Sequence, residues 1–159
     1  MAFIEDRRPD ICLGIASYPE KRPEAASLDA DLDALKIKAD DGGLFITTRL
    51  FYENAAYFKY IDQVRARGIK HPVFSGIMPI LANKQIKRIT QLCHSELPEE
   101  LEAKLSSVES DPEAVRRVGV EWAMRQVGEL ITTVAPGVHI FALNKAKSAI
   151  EIIKAARNA

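Results

Sequence analysis

Apolar residues along this chain fall into short continuous runs, separated by longer stretches in which they recur every three or four positions. The runs are "ICLGIAS" (11–17), "LFITTRL" (44–50), "PVFSGI" (72–77) and "VHIFAL" (138–143). Short runs rich in Ile, Val, Phe and Thr read as buried strands. After the first, Leu28, Leu32, Leu35 and Ala39 share one face of a helix, with Ser27 at its start and Gly42 and Gly43 at its end. Asn54 is expected to cap a second helix carrying Tyr57, Phe58, Ile61 and Val64, stopped by Gly68. Beyond the third run, Pro79 leads into a helix with Ile86, Ile89 and Leu92, and "PEELEAKL" (98–105) adds a short one. Asp111 before Pro112 marks a helix start, because the carboxylate accepts from orphan N–H groups and Pro has no N–H to satisfy. The long helix that follows is expected to turn Val120, Ala123, Val127, Leu130 and Val134 inward, and Pro136-Gly137 ends it. Asn144 then caps a last helix with Ala146, Ala149, Ile150 and Ile153.

Four βα units in succession imply an α/β fold with a parallel sheet and right-handed crossovers. Near-continuous apolar strands predict that both faces of the sheet are covered. No linker or low-complexity stretch interrupts the chain, so residues 1–159 read as a single domain. A four-stranded doubly wound sheet fits the pattern, and so does half of a (β/α)8 barrel. Either way, ligands meet the carboxyl ends of the strands. Those ends are the segments 17–25, 47–54, 76–85 and 141–147.

Lys+Arg and Asp+Glu are balanced at 22 each, so no global charge draws the chain to nucleic acid or to an anionic membrane. No apolar run approaches the ~20 residues of a membrane span, and MAFIEDRRPD lacks an apolar signal-peptide core. A cytoplasmic protein is expected. Cys12 and Cys93 lie outside any CxxC or Cys/His cluster and read as reduced thiols packed like small hydrophobes.

At the strand ends, Tyr18 offers stacking or a hydroxyl bond and Arg22 offers a cation. Arg49 closes an apolar strand, where a charge must reach solvent or an anion. Asn83, Gln85, Asn144 and Lys145 add amides and a second cation. Such groups suit a bulky, flat, partly anionic ligand better than a metal. His71, His94 and His139 lack metal-ligand spacing and read as structural. Glu20 and Glu24 read as acceptors of backbone amides rather than as an acid–base pair. Dinucleotide, P-loop and nucleophile-elbow motifs are all missing from the sequence.

Five stretches occur in order: AxYPExxPEA at 16–25, DLxxLKxKxDxGxxFIxTxLFYxNxxYFxY at 31–60, SGIMPI at 75–80, DPEAVRRVGVEWA at 111–123 and PGVHIFALN at 136–144. Together they resemble the 5,10-methylenetetrahydrofolate reductase family, from about Ile11 to Ile153. The resemblance implies a (β/α)8 TIM barrel of which this chain is the C-terminal half, strands five to eight. It implies FAD, reduced by NAD(P)H, which passes a hydride to methylenetetrahydrofolate to give 5-methyltetrahydrofolate for methionine biosynthesis. Tyr18, Arg22, Ala25, Asp31, Ala34 and Lys38 fall on the family's FAD shell. Arg22 stands where many bacterial members carry His. Arg49, Gln85 and Lys145 fall on its folate side, with Lys145 replacing an Arg and Arg49 replacing a Gln that serves both folate and nicotinamide. Ile37 replaces a basic FAD contact, and Ile89 replaces an aromatic residue beside the substrate.

The resemblance begins at the fifth strand. The family's catalytic Glu, the acid for the folate nitrogen, and further FAD contacts therefore belong to strands outside this sequence, and no catalytic or metal-binding residue is assigned within it. By itself the chain is expected to be inactive. Open strand edges and an uncovered interior predict association, either as a homo-oligomer or with a separate N-terminal half-barrel. The alternative is a non-catalytic flavin- or folate-binding module from a degenerate paralogue.

Overall fold

The computed structural model describes residues 2–157. A short helix, α1 (Ala2–Arg7), precedes β1 (Gly14–Ser17), α2 (Leu28–Asp40), β2 (Phe45–Leu50), α3 (Asn54–Ala66) and β3 (Val73–Ile77). Then follow α4 (Asn83–Cys93), α5 (Glu99–Ser107), α6 (Pro112–Thr133), β4 (Val138–Ile140) and α7 (Ala146–Ala156). The strands form one parallel sheet in the order β1-β2-β3-β4.

That order is sequential, whereas a doubly wound sheet reverses direction at a switch point. Side-chain alternation gives the same answer. Ile15, Ile46 and Val73 enter a core with Leu32 and Leu35 of α2, Tyr57 and Val64 of α3, Val120, Val127 and Leu130 of α6, and Ile152 of α7. Burying each of these aliphatic side chains contributes about 1.5–3 kcal/mol. Gly14, Ala16, Phe45, Thr47 and His139 alternate with them on the opposite face and remain partly or fully exposed. Helices therefore cover one face only, not both as the apolar strands suggested. The short open-face side chains Gly14, Ala16 and Thr47 are what made the strands look uniformly buried.

A second core at the carboxyl ends gathers Leu50, Tyr52, Met78, Ile80, Leu101, Leu105 and Trp122. Trp122 Nε1 donates to Tyr52 O at 3.0 Å, and Gln126 Nε2 donates to Phe51 O at 3.3 Å, so α6 latches the segment after β2. Close approach needs Gly119, where a Cβ would lie 2.0 Å from Ile80 O.

Ser27 and Asp111 cap α2 and α6 as expected, accepting from Ala30 N and from Glu113 N and Ala114 N. Asn54 does not cap α3. Glu53 does, and Asn54 is buried, donating to Gln126 O at 3.1 Å and to Glu129 Oε2 at 2.7 Å. Asn144 does not cap α7 either, since it has φ 62° and the N-cap is Lys145. Val134 is 52% exposed, and on α7 Ile152 is buried while Ile150 and Ile153 are exposed. The inner stripe of α7 is thus Ser148 and Ile152, because that is the line facing α6. Leu92 on α4 is 63% exposed rather than turned inward, and Cys12 is exposed rather than packed, because β1 begins only at Gly14.

Candidate functional site

The loop after β1 is braced from within. Lys21 adopts φ 74°, and its Nζ reaches back to donate to Ala25 O at 2.8 Å. Arg22 N donates to Asp31 Oδ2 at 2.8 Å, and Arg22 Nε lies 3.5 Å from Asp31 Oδ1. Asp31 is buried in the first turn of α2, so this single carboxylate ties the loop to the helix. Glu20 Oε1 accepts from Glu96 N at 3.4 Å, fixing the loop to the segment after α4. Burial pushes the Glu20 carboxyl above its ordinary value, and the hydrogen bond from Glu96 N opposes that shift.

Above the loop's first residue, the open face of the sheet holds a cleft of about 440 Å³ lined by Tyr18, Phe45, Thr47, Arg49, His139 and Phe141. A register shift between Thr47 and Leu50 interrupts the β2–β3 ladder. Bulges of this kind re-aim side chains beside sites. Thr48 Oγ1 accepts from Gly76 N at 2.8 Å, and a Cβ at Gly76 would meet Thr48 O at 2.2 Å. Arg49, at the bulge, donates from Nη2 to Cys93 Sγ at 3.0 Å, and its guanidinium lies 5.7 Å from the Tyr18 ring centroid. Among the described residues no carboxylate pairs with Arg49. His139 packs edge-on to Phe141 at 4.6 Å.

Beneath the cleft, Ser17, Tyr18, Asp31, Lys38 and Tyr60 surround a cavity of about 10 Å³. The Ser17 hydroxyl is buried there beside the Tyr60 phenol, which burial pushes up to about 12 against the opposing hydrogen bond with Ser17. Of the expected FAD-shell residues, Tyr18, Arg22, Asp31 and Lys38 are thus drawn to the carboxyl end of β1. Ala25 sits within the loop and Ala34 on α2, both half-buried.

Gln85 and Lys145 lie elsewhere. Gln85 lines a second groove of about 480 Å³ with Arg88, Ile89, Leu92 and Leu143. Its Oε1 accepts from Leu81 N at 3.0 Å, which leaves the amide N–H groups to the groove. Lys145 is exposed just beyond Leu143 and Asn144, which have φ 44° and 62°. Left-handed backbone at a non-Gly residue is strained, and such strain gathers at functional loops.

Sequence reasoning missed His139, Phe45 and Phe141, which line the cleft, and Cys93, which holds Arg49. A period-two reading of "VHIFAL" would have put His139 and Phe141 on one face. No local signal marks Cys93. Among the described residues no group of three or more His, Cys, Asp or Glu is placed to hold a metal ion, and no helix is long and apolar enough to cross a membrane.

Comparison with known proteins gives a consistent answer. The family model described as "Methylenetetrahydrofolate reductase" matches residues 1–157. "Probable methylenetetrahydrofolate reductase (NADPH)" of Caenorhabditis elegans is 36% identical over 143 residues, covering 89% of this chain and 22% of the relative. "Methylenetetrahydrofolate reductase (NADH) 1" of Zea mays is 36% identical over 148 residues, covering 87% and 25%. "5,10-methylenetetrahydrofolate reductase" of Pectobacterium carotovorum is 31% identical over 138 residues, covering 87% and 46%. The chain therefore spans about a quarter of the length of the plant and nematode relatives and under half of the bacterial one. A solved structure, "Uncharacterized protein from Clostridium thermocellum binds two copies of 5-methyl-5,6,7,8-tetrahydrofolic acid", superposes with TM-score 0.68 at 16% identity over 98% of this chain and 56% of its own. That likeness concerns the fold.

Proposed function

The chain belongs to the methylenetetrahydrofolate reductase family, and from that premise we propose that it supplies strands five to eight of a reductase-type (β/α)8 barrel. The sequential strand order and the one-sided helix layer support this, since a barrel needs both. Four further strands, whichever polypeptide carries them, would close the two sheet edges and cover the cleft.

The reaction of the complete assembly is reduction of 5,10-methylenetetrahydrofolate to 5-methyltetrahydrofolate by NAD(P)H. FAD, when bound, would take up the hydride and deliver it to the folate. One feature of this chain fits a flat, anionic ring system: the Arg49 guanidinium over Tyr18, with no carboxylate partner among the described residues. Tyr18, Arg22, Ala25, Asp31, Ala34 and Lys38 would hold the cofactor. Asp31 would do so by fixing the loop that carries Tyr18 and Arg22. Arg49, Gln85 and Lys145 would bind and orient the folate. Among the described residues no carboxyl group lines the cleft. The proton for the folate nitrogen would therefore come from the strands that complete the barrel, and the chain by itself would not turn over.

The observation that carries this reading is the convergence of the first loop, the β2 bulge and β4 on one open cleft around a guanidinium that no carboxylate among the described residues neutralises. Its test is the visible spectrum of the purified chain after incubation with FAD and gel filtration, alone and co-expressed with strands one to four of a bacterial relative. The co-expressed assembly should retain the flavin band, sediment as one complex and be reoxidised by methylenetetrahydrofolate. A colourless protein under both conditions would overturn the proposal. One observation favours a second reading, a non-catalytic binding module. Arg49 stands in place of the family's Gln and is already engaged by Cys93 and Tyr18. In that case flavin would be retained but methylenetetrahydrofolate would not reoxidise it.

A further inference from the structure

We infer that Cys93 is a positioning residue, which holds the Arg49 guanidinium across the mouth of the cleft so that its free edge faces an anionic or carbonyl-bearing ligand. The inference rests on the proposed folate side of the cleft for the identity of the ligand, but its geometry stands apart from it. A long cationic side chain at a strand end ordinarily extends into water, since fixing it costs rotamer entropy. Arg49 is fixed here without a carboxylate. Its Nη2 donates to Cys93 Sγ at 3.0 Å, and its guanidinium carbon lies 5.7 Å from the Tyr18 ring centroid.

The segment that carries the thiol is itself anchored. Cys93 is the last residue of α4 and is buried in the second core. His94 turns the chain through φ 51°, which brings Ser95 back to β2, where its Oγ donates to Leu50 O at 3.3 Å. Glu96 N then donates to Glu20 Oε1 in the loop after β1 at 3.4 Å. The stretch 93–96 thus touches β2 at both Arg49 and Leu50 and touches the first loop as well. It is a strut between two of the segments that form the cleft. A guanidinium carries five N–H groups in a planar fork. One of these is used by the thiol, Arg49 itself lines the cleft, and no carboxylate among the described residues pairs with it, which leaves donors for a ligand. Cys93 thereby makes Arg49 a fixed donor rather than a mobile counter-charge, and a fixed donor selects by geometry as well as by charge.

The test uses the chain with 15N-labelled arginine and four variants: Arg49→Gln, Cys93→Ala, Cys93→Ser and the Arg49→Gln/Cys93→Ala double. Side-chain NMR of the guanidinium reads positioning without any ligand, with Arg49→Gln assigning the signal. Wild type and Cys93→Ser, whose hydroxyl also accepts, should show restricted rotation and slow N–H exchange at Arg49. Cys93→Ala should show the averaged signal of a free side chain. Calorimetric titration with 5-methyltetrahydrofolate then reads the consequence in the assembly that retains flavin. Cys93→Ala should weaken binding about tenfold, Cys93→Ser should restore most of it, and the double variant should be no weaker than Arg49→Gln alone. Identical Arg49 signals in wild type and Cys93→Ala would overturn the inference. So would equal losses in Cys93→Ala and Cys93→Ser, which mark a packing role only. If wild type does not bind the folate at all, the proposed ligand is wrong, and the NMR comparison still decides whether Cys93 positions Arg49.

Discussion

Replacing Asp31 should release the loop after β1, and the size of the effect follows from its contacts. Asp31 accepts the Arg22 backbone N–H at 2.8 Å and lies 3.5 Å from Arg22 Nε, with the carboxylate side chain 9% exposed and the guanidinium 35% exposed. A hydrogen bond to a buried charge contributes about 1.5–3 kcal/mol. The ion pair is longer and half in solvent, so screening reduces it to below about 1 kcal/mol. Asp31→Ala removes both and leaves an orphan N–H in the loop, so it should cost about 2–3 kcal/mol. Asp31→Asn keeps an amide oxygen for Arg22 N and loses only the charge, so it should cost about 1 kcal/mol. Urea unfolding followed by circular dichroism measures both, and the midpoints should fall in the order wild type, Asn, Ala at unchanged slope. The same order should appear in flavin retention by the complete assembly, because the loop carries Tyr18 and Arg22. Equal midpoints for wild type and Asp31→Ala would refute the claim that this carboxylate braces the loop. Loss of midpoint with full flavin retention would refute its link to the site.

Three further outcomes follow from individual contacts. Tyr57→Phe removes a buried donor 2.7 Å from Val73 O and should cost about 1–2 kcal/mol in the same unfolding assay, with no change in the sheet's spectrum. Gly119→Ala gains up to about 1 kcal/mol of helix propensity but sets a Cβ 2.0 Å from Ile80 O. Overpacking of about 3 kcal/mol wins, and a lower melting temperature checks it. Glu20 has its carboxyl raised above 4.5 chiefly by burial. Its contribution to stability is therefore greatest below that pH and is lost as pH rises through the folded value. Glu20→Gln keeps the acceptor for Glu96 N without the charge. It should melt higher than wild type at neutral pH, and the difference should vanish well below pH 4.5.

Local pattern alone determined a great deal of this protein. The four strands, the helices from α2 onward, the caps at Ser27 and Asp111 and the loop at 18–25 were all legible, because period two, period 3.6 and capping chemistry act over a few residues. The resemblance carried by 16–25, 31–60 and 136–144 named the family for the same reason. What the sequence left open are choices made between distant residues. The open face of the sheet depends on which strands neighbour one another, and strand order cannot be read from apolar runs. Asn54 looked like a cap, yet it is buried, because α6 arrives 72 residues later with Gln126 as a better partner. Ile150 and Ile153 looked inward, but the line of contact with α6 selects Ile152. Arg49 and Cys93 are 44 residues apart. Only the packing of α4 against the end of β2 brings the thiol to the guanidinium and turns a charge at a strand end into a fixed donor in a cleft.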